Sequence, residues 1–313
     1  MKMLFAALAL VFVSNLVPAL ATAELVPHVL INGREELTVE PGKVAELRLS
    51  FTESETGQKV TKFKKLNNKF MHLVIMKDDL SSMVHLHPTL IGQTGDFWTV
   101  LNQAHDDPDT QGAETAMKTP GKYLVFAEVF PDRGARLPAA QYVRFTLESP
   151  GVAENKAPAL SMPNAQCEYV TYLRADGKPG AFGDAYRVSL HQEVVEGEGG
   201  NLVKFHMKVK SWHRRDQVYV PERGLQEFMR MHGHMFLVSA GSESVKDKLF
   251  VHSHGMIHAG LHDDHMLFTY FDRGELAKAP ALRVWTQFKH NNVVQTAAWS
   301  FKYDEHLAHQ CQH

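Results

Sequence analysis

Phe70-Met71-His72-Leu73-Val74-Ile75-Met76, followed by Met83-Val84-His85-Leu86-His87-Pro88, decides how the chain is read. Both stretches alternate with the period of a β-strand. Phe70, His72, Val74 and Met76 share one strand face, and Met83, His85 and His87 share one face of the next. A hairpin loop over Lys77–Leu80 sets His72 opposite His85 and Phe70 opposite His87, with facing Cβ atoms roughly 4.5–5.5 Å apart. Three imidazoles then converge on one sheet surface.

The arrangement returns downstream as His232-Gly-His-Met-Phe-Leu-Val238 and Phe250-Val-His-Ser-His-Gly255. A longer loop from Ser239 to about Lys248 sets His234 against His252 and His232 against His254, a rectangle of four histidines. Lys118–Gly121 followed by Tyr123–Phe130 corresponds to Lys278–Ala281 followed by Leu282–Phe288, and Phe145 to Phe301. The repetition reads as two homologous domains.

Working outward, Met1-Lys2-Met3, the apolar run Leu4–Val13 and the small-residue site Ala21-Thr-Ala23 form a secretory signal over residues 1–23. That run is too short to span a bilayer, so the mature chain is expected to lack a membrane span and to be periplasmic or secreted. The first domain covers 24–150. Its strands include Val29–Gly33, Val44–Phe51, Lys59–Phe63, Asp96–Leu101, Tyr123–Phe130 and Tyr142–Leu147, separated by Pro- and Gly-bearing turns. Residues 151–166, rich in Pro, Ala, Ser and Asn, are a linker. The second domain, 167–303, opens with an extra strand at Tyr169–Arg174, and 304–313 is a His/Cys tail. The expected fold is all-β: two tandem antiparallel immunoglobulin- or cupredoxin-like sandwiches.

With 33 Lys and Arg against 35 Asp and Glu the chain is nearly neutral, and without a basic run nucleic acid is excluded as a partner. An exported compartment favours a disulfide between the two cysteines, Cys167 and Cys311; the competing reading makes His306–His313 a metal-capturing arm with a free thiolate.

Imidazoles at i and i+2 facing another imidazole suit copper, zinc or nickel. The candidate ligands are His72, His85 and His87 in the first half, with His232, His234, His252, His254, Met256, His258, His262 and His265 in the second. Neutral imidazole needs an acceptor to orient its second nitrogen, and Asp78, Asp79, Asp263 and Asp264 lie near enough in sequence to serve. Thioether sulfur favours Cu(I), so mixed His and Met tilt the choice to copper, with zinc the alternative. Met231 and Met235 have the opposite strand parity and read as core. No His-Glu-x-x-His helix, Gly-x-Ser-x-Gly elbow or phosphate-binding glycine loop occurs, so no catalytic residue is assigned.

Gly57-Gln-Lys-Val-Thr-Lys-Phe63, Met71–Met76, Asp79-Leu80, His85-Leu-His-Pro88 and Thr119–Ala127 resemble the small exported bacterial β-domains that carry a His-x-His-Pro signature beside copper and heavy-metal handling proteins. The resemblance covers most of the first domain. It implies an immunoglobulin- or cupredoxin-like sandwich and a metal-related periplasmic role carried on His72, His85 and His87. The second domain departs from it, with Gly255 standing where Pro88 would be.

The expected function is therefore an exported protein that sequesters or delivers copper in the bacterial envelope, its partners the metal ion and an envelope metal transporter or metalloprotein. A zinc-dependent hydrolase and a non-metal β-sandwich binding through its surface are the rivals.

Overall fold

A computed structural model of the protein describes residues 24–104, 113–134, 139–195, 202–241, 244–257 and 265–306. The proposed signal peptide, His258, His262 and most of the His/Cys tail lie outside these.

The first half contributes β1 (Leu25–Ile31), β2 (Ala45–Glu53), β3 (Met71–Lys77), β4 (Met83–Leu86), β5 (Thr89–Ile91), β6 (Asp96–Leu101), β7 (Gly121–Val129) and β8 (Gln141–Ser149). The second contributes β9 (Tyr169–Leu173), β10 (Tyr186–Val195), β11 (Leu202–His213), β12 (Val218–Pro221), β13 (Leu225–Gln226), β14 (Gly233–Ser239), β15 (Phe250–Ile257), β16 (His265–Asp272), a short helix α1 (Arg273–Lys278), β17 (Leu282–His290) and β18 (Val293–Phe301). All the ladders between these strands are antiparallel. The all-β expectation holds.

Lys59–Phe63 is not a strand: it makes single bridges, Thr52 to Lys59 and Phe63 to Pro131. Phe63 is nevertheless buried, edge-on to Phe51 and Phe97. The segment runs from the edge of β2 to the residues just after β7 and buries one ring on the way.

In the first half β1-β2-β6-β5 and β4-β3-β7-β8 form two sheets. Odd-numbered Met71, Leu73 and Ile75 of β3 join Leu47, Leu49, Phe51 and Phe97 in the core between them. In the second half β15-β14-β17-β18 repeats the order β4-β3-β7-β8, and it continues through a two-residue pairing of β15 with β16 into β11-β10-β9. Its two parts share one core, with Val188, Leu190, Phe205 and Met207 on one side and Met235, Leu237, Val284 and Trp299 on the other. By parity His206 should face away from Phe205 and Met207, and it does, half-buried against Glu193.

A third core joins the halves. Val74, Met76, Leu80, Leu124 and Phe126 pack against Phe236, Val238, Val245, Phe250 and Trp285. The Phe126 and Phe250 rings stack at 4.0 Å, and the Arg144 guanidinium donates to the carbonyls of Lys246 and Lys248. At roughly 1.5–3 kcal/mol per fully buried apolar side chain, ten buried residues make this a substantial contact. The molecule is thus layered, with β3 and β14 in the two inner sheets and every residue of both buried. That double burial explains why the sequence of each strand is apolar on both faces, histidines aside.

Between β8 and β9 the chain carries no strand. It is pinned where the Lys77 ammonium donates to the Glu154 carbonyl, the Lys156 amide donates to Asp79, and Ser161 bonds Ser300. Cys167 is disulfide-bonded, and no described cysteine is free; Cys311 lies outside the described residues. Among the described residues no helix is long and apolar enough to cross a membrane.

Candidate metal centre

The even-numbered residues of β3 face the second half. His72 therefore lies beside Val74 and Met76 on the joining surface, buried at the end of the apolar contact. The hairpin register differs from the expected one. Val74 pairs with His85 and Leu73 with Leu86, so one further step brings His72 across from His87. In the second hairpin Phe236 pairs with His252 and His234 with His254.

Both registers are two residues from expectation because the loops are wider. Met76 pairs with Met83 around a turn in which Asp79 accepts from the Ser81 amide and hydroxyl, and Leu80 adopts φ 60°. A slip of two preserves which face each side chain occupies, so the imidazoles still converge. A similar shift affects the β8 equivalence. Val125 pairs with Phe145 and Val284 with Trp299, so Phe145 corresponds to Trp299 rather than to Phe301.

Two trios result, His72, His85, His87 and His234, His252, His254, with candidate donor nitrogens within 4.8 Å of one another in each. They also face each other. The His72 ring centroid is 4.9 Å from that of His252 and 6.4 Å from that of His234, and His85 is 5.4 Å from His252 and 5.6 Å from His234. Six imidazoles from both halves form one buried cluster, with His87 and His254, the less enclosed members, at its rim. Phe236 supplies the floor, its ring 4.8 Å from those of both His85 and His252.

The orienting acceptors come from the neighbouring strands. Glu128 of β7 stands beside His72 and Gln287 of β17 beside His234 in equivalent ladder positions. Each reaches across the interface. The His252 Nδ1–H donates to Glu128 Oε2 at 2.7 Å, and the His85 Nδ1–H donates to Gln287 Oε1 at 3.2 Å. Glu128 Oε1 accepts from the Tyr142 hydroxyl at 2.8 Å, and the Gln287 amide donates to Thr296. The Asn67 amide reaches Nε2 of His254 at 3.1 Å.

These bonds fix the Nδ1-protonated form of His85 and His252 and leave Nε2 as the lone-pair nitrogen. His85 Nε2 faces Nδ1 of His72 at 3.2 Å, whereas Nε2 of His252, Nε2 of His72 and both ring nitrogens of His234 are buried with no hydrogen-bond partner. Unpartnered buried nitrogens of this kind are costly unless something else engages them.

Electrostatics agree. Burial, and then the neighbouring imidazoles, hold His72, His85 and His234 well below the ordinary histidine range. Burial followed by His252 pushes His254 down to about 3. Those four rings are therefore neutral, the form that ligates metal. For Glu128 burial works upward, but His252 and Tyr142 outweigh it and keep the carboxyl below its usual value.

The remaining expected ligands are elsewhere. His232 is partly exposed, 3.9 Å from Glu227, and outside both trios. Met256 shares the parity of His252 and His254 but is 59% exposed. His265 lies on β16 opposite Lys208. Met235 is in the core, as its parity requires. Asp79 is spent on its own turn and on Lys156, and Asp78 is exposed, so neither orients a trio. Asp263 and Asp264 lie outside the described residues. Asp272 caps α1, accepting from the Glu275 amide.

Gln287 is the functional residue that the sequence reading missed; Glu128 stands out there only as a carboxylate that could serve a zinc hydrolase as base, not as a group that orients a histidine. Both lie in the aligned segments Tyr123–Phe130 and Leu282–Phe288, at matching positions.

Gly255 in place of Pro88 also has a structural reason. Proline cannot donate to a ladder, and β4 ends at Leu86. β15 continues to Ile257, with Gly255 paired to Gly233, and a Cβ on Gly255 would come within 2.7 Å of the Phe268 ring.

Residues 30–147 match a family described as a domain of unknown function (DUF8832). No curated protein matches the chain.

Proposed function

We propose that this chain is an exported metal-binding protein that holds copper between its two halves, for sequestration or delivery in the bacterial envelope. The observation that carries the reading is the set of buried, unpartnered nitrogens on His72, His234 and His252 within a cluster of six imidazoles. With Met256 exposed and Met235 in the core, thioether no longer argues for copper. Two other supports do: among divalent ions a nitrogen site binds Cu(II) most tightly, and the first half resembles domains found beside copper-handling proteins. Export is inferred from the leader-like residues 1–23.

Three imidazoles with an open fourth position would also suit catalytic zinc, which keeps the hydrolase reading alive. Glu128, already engaged by His252 and Tyr142, serves there as a positioning group rather than a free base.

The deciding experiment is metal analysis of the untagged protein purified from the periplasm, followed by titration with Cu(I), Cu(II) and Zn(II). Copper bound tightly and lost in the His252→Ala/His254→Ala variant is the expected result. Zinc alone would transfer the case to hydrolase assays, and no metal would end it.

A further inference from the structure

We infer that the two trios are halves of one binuclear centre, in which two transition-metal ions sit side by side and share a small bridging anion of the hydroxide type. This rests on the metal-binding reading and specifies its stoichiometry and ligand.

Distances within and between the trios are alike. His72 is 5.4 Å from His85 and 5.3 Å from His87 in its own trio, yet 4.9 Å from His252 in the other. Within the second trio His234 is 5.5 Å from His252, which matches its 5.6 Å to His85 across the interface. Rings this close are in van der Waals contact, so no other side chain separates them.

The donor count points the same way. Six imidazoles exceed what one four-coordinate ion accepts, whereas three per ion leave each with one open position. Two nitrogens on one ion at about 2.0–2.1 Å lie at most about 4.2 Å apart, and the donor atoms of each trio already lie within 4.8 Å of one another.

Two adjacent divalent ions repel in a dry site. Only Glu128 brings negative charge to the orienting pair, its counterpart Gln287 being neutral. A bridging anion in the open positions would offset the repulsion and complete both coordination shells. The acceptors cross the interface, so each half orients a ligand of the other.

The test uses the full mature chain, stripped by chelation and reloaded separately with Zn(II) and Cu(II). Ions per chain are counted, and the metal–metal vector is sought by X-ray absorption. Two ions per chain with a metal–metal distance of about 3.5–4 Å are expected, and the copper form should lose most of its EPR intensity through coupling. His87→Ala and His254→Ala, at the less buried rim, should each lose one ion and the metal–metal vector while melting like the parent. Two ions without that vector, or a single ion, would overturn the binuclear centre and leave metal binding intact. No ion would sink both.

Discussion

Glu128 and Gln287 stand at equivalent places in their ladders, beside His72 and His234, yet each bonds a histidine of the opposite half, His252 and His85 respectively. The two bonds repeat one geometry with different chemistry. One acceptor is a carboxylate and the other an amide, so the two trios are expected to differ in affinity.

Replacing Glu128 by Gln keeps the acceptor and removes its charge. Metal affinity should fall about 10–100-fold, as for other groups that orient a ligating imidazole. Competition titration against a chromophoric chelator measures it, and Gln287→Glu should move affinity the other way. Unchanged affinity in both variants would show that the crossed bonds have no influence on the metal.

The cluster should make the chelated protein acid-sensitive. His72, His85, His234 and His254 are held neutral in the fold but take a proton once unfolded, below the ordinary value of 6.5. Their stability contribution is complete above about pH 6.5 and falls as pH drops, by about 1.4 kcal/mol per pH unit for each, or roughly 5–6 kcal/mol together. Glu128, held below its ordinary value of 4.5, adds its own loss only at more acid pH. Urea denaturation across this range checks it, and a flat profile would contradict neutrality of these four rings.

Phe236 touches both trios and the apolar contact between the halves. Phe236→Ala should cost about 3–5 kcal/mol by calorimetry and weaken metal binding at both trios, since His85 and His252 lose the same floor. A loss confined to one trio would mean that the floor is not shared.

Gly255→Ala should destabilise by about 1–3 kcal/mol, because the new Cβ runs into the Phe268 ring and β15 has to shift. The shift displaces His254, so binding at the second trio should suffer more than at the first. Parent-like melting would mean that Phe268 swings aside.

What the sequence made legible follows from the period of two. Alternation put His72, His85, His87, His234, His252 and His254 on their correct faces, and it sent Met235 to the core. Exact pairing was not legible, because it depends on loop geometry such as the Asp79–Ser81 bonds and the left-handed Leu80. Nor was the meeting of the trios. No local pattern in β3 or β14 says what covers its second face, although their unbroken apolarity announces that something does. His232 misled because parity alone admits it; the observed register carries it past the last opposing histidine.

The stretch between β8 and β9 gives the cluster a property that a pair of separate domains would lack. Two free domains meeting through His72 and His252 would part on dilution, and their shared centre would vanish with the concentration of protein. Joined by residues 150–168, the halves meet within one chain, at an effective concentration that does not depend on how much protein is present. The centre then exists at any abundance of the protein, and a chain present in few copies would be as complete as one present in many.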